Sequence, residues 1–125
     1  MKHTMFIASL AVLAGCSVSL AQFNAANANV VISQVYGGGG NSGALFNRDY
    51  IELYNRSGSP VTMSGWSVQF NSAAATTAFT KFDLPTVTLQ PTQFYLVACG
   101  AAGANGAALP APDATGATGL LMGGL

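Results

Sequence analysis

Beyond residue 21, no window of this chain repeats its apolar side chains every 3.6 residues. A chain without that period has no helix face to bury, so it must build its core from strands. The clearest strand runs from Arg48 to Asn55. Asp49, Ile51, Leu53 and Asn55 share one face and Tyr50, Glu52 and Tyr54 the other, with Ile51 and Leu53 marking the first as the core side. Val30–Tyr36, Val61–Met63, Thr86–Leu89 and Phe94–Cys99 read as further strands, and Ala78–Phe82 as a short edge strand. Trp66, Val68 and Phe70 alternate with Ser67 and Gln69, which predicts a half-buried strand with its aromatic face inward. Gly37–Asn47, Arg56–Pro60 and Gln90–Gln93 carry turn chemistry. Short strands punctuated in this way predict an all-β sandwich or barrel, with Ile51, Leu53, Trp66, Val68, Phe70, Leu96 and Val35 between its sheets.

The first 21 residues stand apart. Lys2 and His3 form a short positive region and Met5–Leu13 an apolar run. Ser19 and Ala21 then place small side chains at −3 and −1 of a cut before Gln22. This is the pattern of a secretory signal peptide, and the run is too short to span a bilayer. Leu13-Ala14-Gly15-Cys16 offers a second reading, a lipobox that would leave a lipidated Cys16. The apolar residues after Cys16 favour the cut before Gln22. Residues 22–29 form a small polar lead-in, and residues 30–125 the expected domain.

Only 6% of the residues are charged, and the formal net charge is zero. After the leader, Arg48, Arg56 and Lys81 face Asp49, Glu52, Asp83 and Asp113, with no His and Cys99 as the one thiol. No basic patch is available for nucleic acid. No intramolecular disulfide can form, so packing alone must hold the fold outside the cytoplasm.

Each chemistry-bearing residue has a bland reading that outweighs the sharp one. Gly38-Gly39-Gly40-Asn41-Ser42-Gly43 fits a dinucleotide fingerprint, but a strand follows it instead of a helix, so it reads as an interstrand loop. Asp49 and Glu52 lie three apart on a strand and point to opposite faces, so they cannot flank one bond. Asp49 is expected to hold loop amides, and Glu52 to face solvent near Arg48 or Arg56. Calcium held by Asp49, Asp83 and Asp113 is a minor alternative. Tyr50 and Tyr54 beside Glu52 are expected to pack on neighbouring elements more than to stack on a sugar. Cys99 reads as a buried small hydrophobe without a base to activate it. No residue is assigned a catalytic, cofactor or metal role.

The order of these signals resembles the lamin tail domain family in its bacterial secreted form. The residues that carry the likeness are Val31-Ile32-Ser33-Gln34-Val35-Tyr36 with Gly37–Gly43, then Asp49-Tyr50-Ile51-Glu52-Leu53-Tyr54-Asn55. Val61, Ser64-Gly65-Trp66-Ser67-Val68, Leu89-Gln90-Pro91, Phe94–Val97 and Leu109–Gly116 follow. The resemblance implies an immunoglobulin-like β-sandwich. It also implies a non-catalytic module that mediates attachment to an extracytoplasmic protein or polysaccharide, with no cofactor. Gln34 stands where the family often has Glu. The family continues past its late loop into a strand of the type Gly-Lys-Val-Ala-Leu, whereas this chain ends at Met122-Gly123-Gly124-Leu125. From this come three expectations: a sandwich lacking its last strands, an Ala/Gly tail from about residue 100 that stays mobile, and self-association through an open sheet edge. The competing expectation is an N-terminal piece of a larger secreted nuclease or phosphatase.

Overall fold

A computed structural model of the chain describes residues 28–116 apart from 73, 75 and 77. The signal peptide, the Gln22 and Cys16 cleavage readings, most of the lead-in and the end of the tail lie outside the described residues.

Eight strands form, and no helix is present among the described residues. They are β1 (Val30–Tyr36), β2 (Asp49–Asn55), β3 (Val61–Met63), β4 (Ser67–Phe70), β5 (Thr80–Asp83), β6 (Val87–Leu89), β7 (Phe94–Cys99) and β8 (Ala114–Thr115). One sheet runs β1-β2-β7-β8, and the pairs β3-β6 and β4-β5 cover its inner face as an immunoglobulin-like β-sandwich. The alternation in β2 appears as expected: Asp49, Ile51, Leu53 and Asn55 are all buried, and the residues between them are half-buried. Antiparallel pairing sets Asp49, Ile51 and Leu53 opposite Cys99, Val97 and Tyr95. Directly opposed residues share a face, so these six make the floor of the core. Met63, Leu84, Leu89 and Val68 come down on it from the other layer.

Three of the expected core residues are placed differently. Leu96 is half-buried on the outer face, opposite Glu52, because the register to β2 turns Tyr95 and Val97 inward. An all-apolar strand does not declare its own phase; its partner sets it. Val35 sits opposite Ile51 on the inner face yet is 59% exposed. Trp66 shares the inward phase of Val68 but lies on the rim and is 41% exposed. Val35 lies on β1, the edge strand of its sheet, and Trp66 borders an open cleft between β1 and β4. Phe70 is half-buried and packs against the core, while Ile51, Leu53 and Val68 are buried as expected.

The Ala/Gly region after Cys99 contains more structure than its composition predicts. Ala114–Thr115 pairs in parallel with β7, and Gly116 N–H donates to the Ala98 carbonyl at 2.7 Å. Residues 100–109 are joined to the 37–47 loop through backbone bonds. Gly103 N–H donates to Asn47 O at 2.6 Å, Ala107 N–H to Leu45 O at 2.9 Å, and Asn47 N–H to Ala107 O at 2.8 Å. A Cβ on Gly40 (φ +78°) would stand 2.5 Å from Gly103 Cα, so glycine is what lets the two loops touch.

Candidate functional site

The acidic side chains are occupied with structural tasks. Asp49 Oδ1 accepts the amides of Gly38 and Gly39 at 2.8 and 2.6 Å, which folds the glycine loop over the mouth of β2. Glu52 lies on the opposite face, as the alternation requires. Its Oε1 accepts the hydroxyl of Ser33, at the β-bulge of β1, at 2.6 Å. Asp113 Oδ2 accepts Leu96 N–H at 2.7 Å, and Asp83 pairs with Lys81 at 3.0 Å. Asp49, Asp83 and Asp113 thus have separate partners, and among the described residues no three His, Cys, Asp or Glu side chains gather at one place. Cys99 is fully buried at the end of β7. Burial first, and the Asp49 charge second, push its thiol up to about 11. At that value it is not a nucleophile near neutral pH.

The outer-face aromatics pack on one another. Tyr36 stacks on Tyr50 with centroids 5.4 Å apart, and Phe46 stands edge-on to both at 5.7 and 5.9 Å. Tyr54 stacks on Phe94 at 4.6 Å. The Tyr36 hydroxyl accepts Leu45 N–H, and the Tyr50 hydroxyl donates to Gln34 Oε1. These rings cover the sheet and tie down the glycine loop, which is the packing role the sequence favours for Tyr50 and Tyr54.

The open surface lies inside the sandwich's mouth. A cleft of about 400 Å³ runs between β1 and β4, lined by Val30, Ile32, Ile51, Leu53, Trp66 and Val68 among others. None of its lining residues is charged. Ile32, one of its lining residues, is 59% exposed. β1 pairs only with β2 among the described residues, so its other edge offers free backbone groups along the cleft. The size falls within the range of ligand pockets, and exposed apolar patches of this kind mark interaction surfaces. Periodicity placed Val35 and Trp66 on the right faces; it carried no information about what covers them.

Two structural residues escaped the sequence reading. Asn55 is fully buried and satisfies its amide completely within the turn after β2 and the end of β6. Its inward phase in the β2 alternation was the available signal. Arg48 donates through Nε to the Cys99 carbonyl at 3.3 Å and through a terminal nitrogen to the Gly100 carbonyl. Nothing local in the sequence marks that contact. Among the described residues no helix is long and apolar enough to cross a membrane. The model of the Lamin Tail Domain family matches residues 24–122. No curated protein matches the chain at a significant level.

Proposed function

The chain belongs to the lamin tail domain family, and from that premise we propose an extracytoplasmic, non-catalytic interaction module. Its partner is a protein that lays an extended apolar segment along β1 and into the cleft beside Trp66. One observation carries this reading: the uncharged cleft of about 400 Å³ opens beside an unpaired strand edge. That combination suits β-augmentation, in which main-chain bonds supply affinity and alternate side chains enter an apolar groove. An uncharged rim favours an apolar segment over an acidic or basic one.

The non-catalytic part rests on how the reactive groups are used. Asp49 and Glu52 face opposite sides of β2 and are bonded to loop amides and to Ser33. Cys99 is buried with a raised pKa. No base stands beside a nucleophile in this set, and acid–base chemistry needs such a pair within hydrogen-bond reach. The extracytoplasmic part rests on the leader pattern of residues 1–21.

Amide chemical shifts of the isotopically labelled protein test the binding reading. Extended peptides with alternating Val or Ile should shift Val30–Tyr36 and the Trp66 indole saturably, and Trp66→Ser should weaken the effect. Shifts confined to the outer face, or none at millimolar peptide, would refute it. The same shifts on raising protein concentration alone would make the occupant a second copy. Mass spectrometry of the exported product tests the address: an N-terminus at Gln22 agrees, and a lipid-bearing Cys16 replaces that cut.

A further inference from the structure

Arg48, immediately before β2, is half-buried, and both groups it bonds are neutral carbonyls, those of Cys99 and Gly100. Among the described residues no carboxylate lies within ion-pair distance of it. A guanidinium has five N–H donors, of which these two contacts use two. A charge drawn partly out of water is normally matched by an opposite charge. Here no side chain among the described residues supplies that match at ion-pair distance.

The same side chain lines a depression of about 200 Å³ with Asn47, Ala98, Ala108, Leu109 and Pro112. It shares no residue with the cleft beside Trp66. Its walls are firm, because the 100–109 segment is held to Asn47 and Leu45 by the backbone bonds described above. Apart from Arg48 and the Asn47 amide, the lining side chains are apolar.

We propose that this depression binds a small carboxylate carried on an apolar body, namely the C-terminal carboxylate of a peptide ending in a small apolar residue. A planar guanidinium matches a carboxylate in a two-point fork, shorter and stronger than a neutral hydrogen bond. The apolar walls discriminate among carboxylates. A sugar acid would bring hydroxyls that the walls cannot pair, and desolvated unpaired hydroxyls cost binding energy. An alanine- or valine-type terminus brings a methyl surface to those walls and leaves its backbone N–H for the Asn47 side-chain oxygen. A phosphate would bring about two negative charges to a single cation.

The test uses the full chain and the nitrogen-15 signal of Arg48 Nε–H. Acetyl-Ala-Ala with a free carboxylate should shift that signal saturably. The same peptide ending in an amide, glucuronate and inorganic phosphate should each bind at least about tenfold more weakly, a difference of about 1.4 kcal/mol. Arg48→Gln, read through the backbone amides of Ala108 and Leu109 in the same depression, should abolish binding. Because Arg48 also holds the end of β7, a second variant separates the roles: Ala108→Phe keeps Arg48, fills the depression from an exposed position and should weaken the free acid about tenfold, with the unfolding midpoint unchanged. Equal binding of acid and amide, tighter binding of glucuronate or phosphate, full binding by Ala108→Phe, or no saturable shift at millimolar peptide would each overturn the assignment.

Discussion

Asn55→Asp changes one group and almost no volume, yet it should be among the more damaging substitutions in the chain. Asn55 Nδ2 stands 2.9 Å from Ser59 O, 3.0 Å from Leu89 O and 3.2 Å from Gln90 O. Its Oδ1 accepts the Ser57 N–H at 3.0 Å and the Ser57 hydroxyl at 2.7 Å. An aspartate places an oxygen where three carbonyls expect a donor. The bond to Leu89 lies in the interior, and leaving that acceptor unpaired costs about 1–3 kcal/mol. The other two carbonyls belong to surface turns and regain water. Ionisation adds a further penalty, since a buried carboxylate facing carbonyl oxygens resists charging and its pKa rises. Each unit of that rise is worth about 1.4 kcal/mol. A loss of about 3–4 kcal/mol at pH 7 follows from adding the two. Protonated aspartic acid can still donate to one of the three carbonyls, so the loss at low pH should be nearer 1–2 kcal/mol. The direction with pH is fixed by linkage. The folded variant keeps its proton above the unfolded carboxyl's pKa of about 3.9, so its stability falls as pH rises through that window. Urea unfolding of the parent and the variant from pH 4 to pH 8 measures the difference. A pH-independent loss below about 1 kcal/mol would refute the buried-amide account.

Met63→Ala should cost about 2–5 kcal/mol in denaturant unfolding, and Trp66→Ala about 1–3 kcal/mol, because Met63 is fully buried while Trp66 sits on a rim. The reverse order would place Trp66 in the core. Gly40→Ala should lose at least about 2 kcal/mol by the same assay, since it combines positive φ with a backbone clash at Gly103. Thr92 adopts φ 62°, a left-handed conformation that a β-branched residue disfavours. Thr92→Asn should therefore raise stability by about 0.5–1 kcal/mol, read as a higher unfolding midpoint. The Cys99 thiol is raised to about 11 chiefly by burial, and Tyr95 is raised by burial and then by Asp113. Both groups hold their protons longer when folded, so stability should fall from about pH 9 towards pH 11. Cys99→Ala should flatten part of that fall.

The strands themselves were legible because alternation is a local signal. Asp49–Asn55 writes its inward and outward faces residue by residue, and the turns around Pro60 and Pro91 end their neighbours through chemistry that needs no partner. The same alternation separated Asp49 from Glu52 and so removed the paired-carboxylate reading without a structure. Cys99 could be assigned to the interior for a similar reason, since it ends a run of apolar residues.

What only the tertiary structure decided depends on which elements meet. Alternation says which way Val35 and Trp66 point but not whether anything lies opposite; β1 is an edge strand, and Trp66 borders an open cleft. The phase of β7 came from its register with β2, which turned Tyr95 inward and Leu96 out. Residues 100–109 are held by backbone bonds and a glycine contact to a loop some sixty positions away, as in Gly103 to Asn47 and Gly103 to Gly40. Backbone groups are the same in every residue, so composition cannot announce such pairing. Arg48 reaches the carbonyl of Cys99, 51 positions along the chain, for the same reason. A side chain's partner at that separation is chosen by the path of the folded chain.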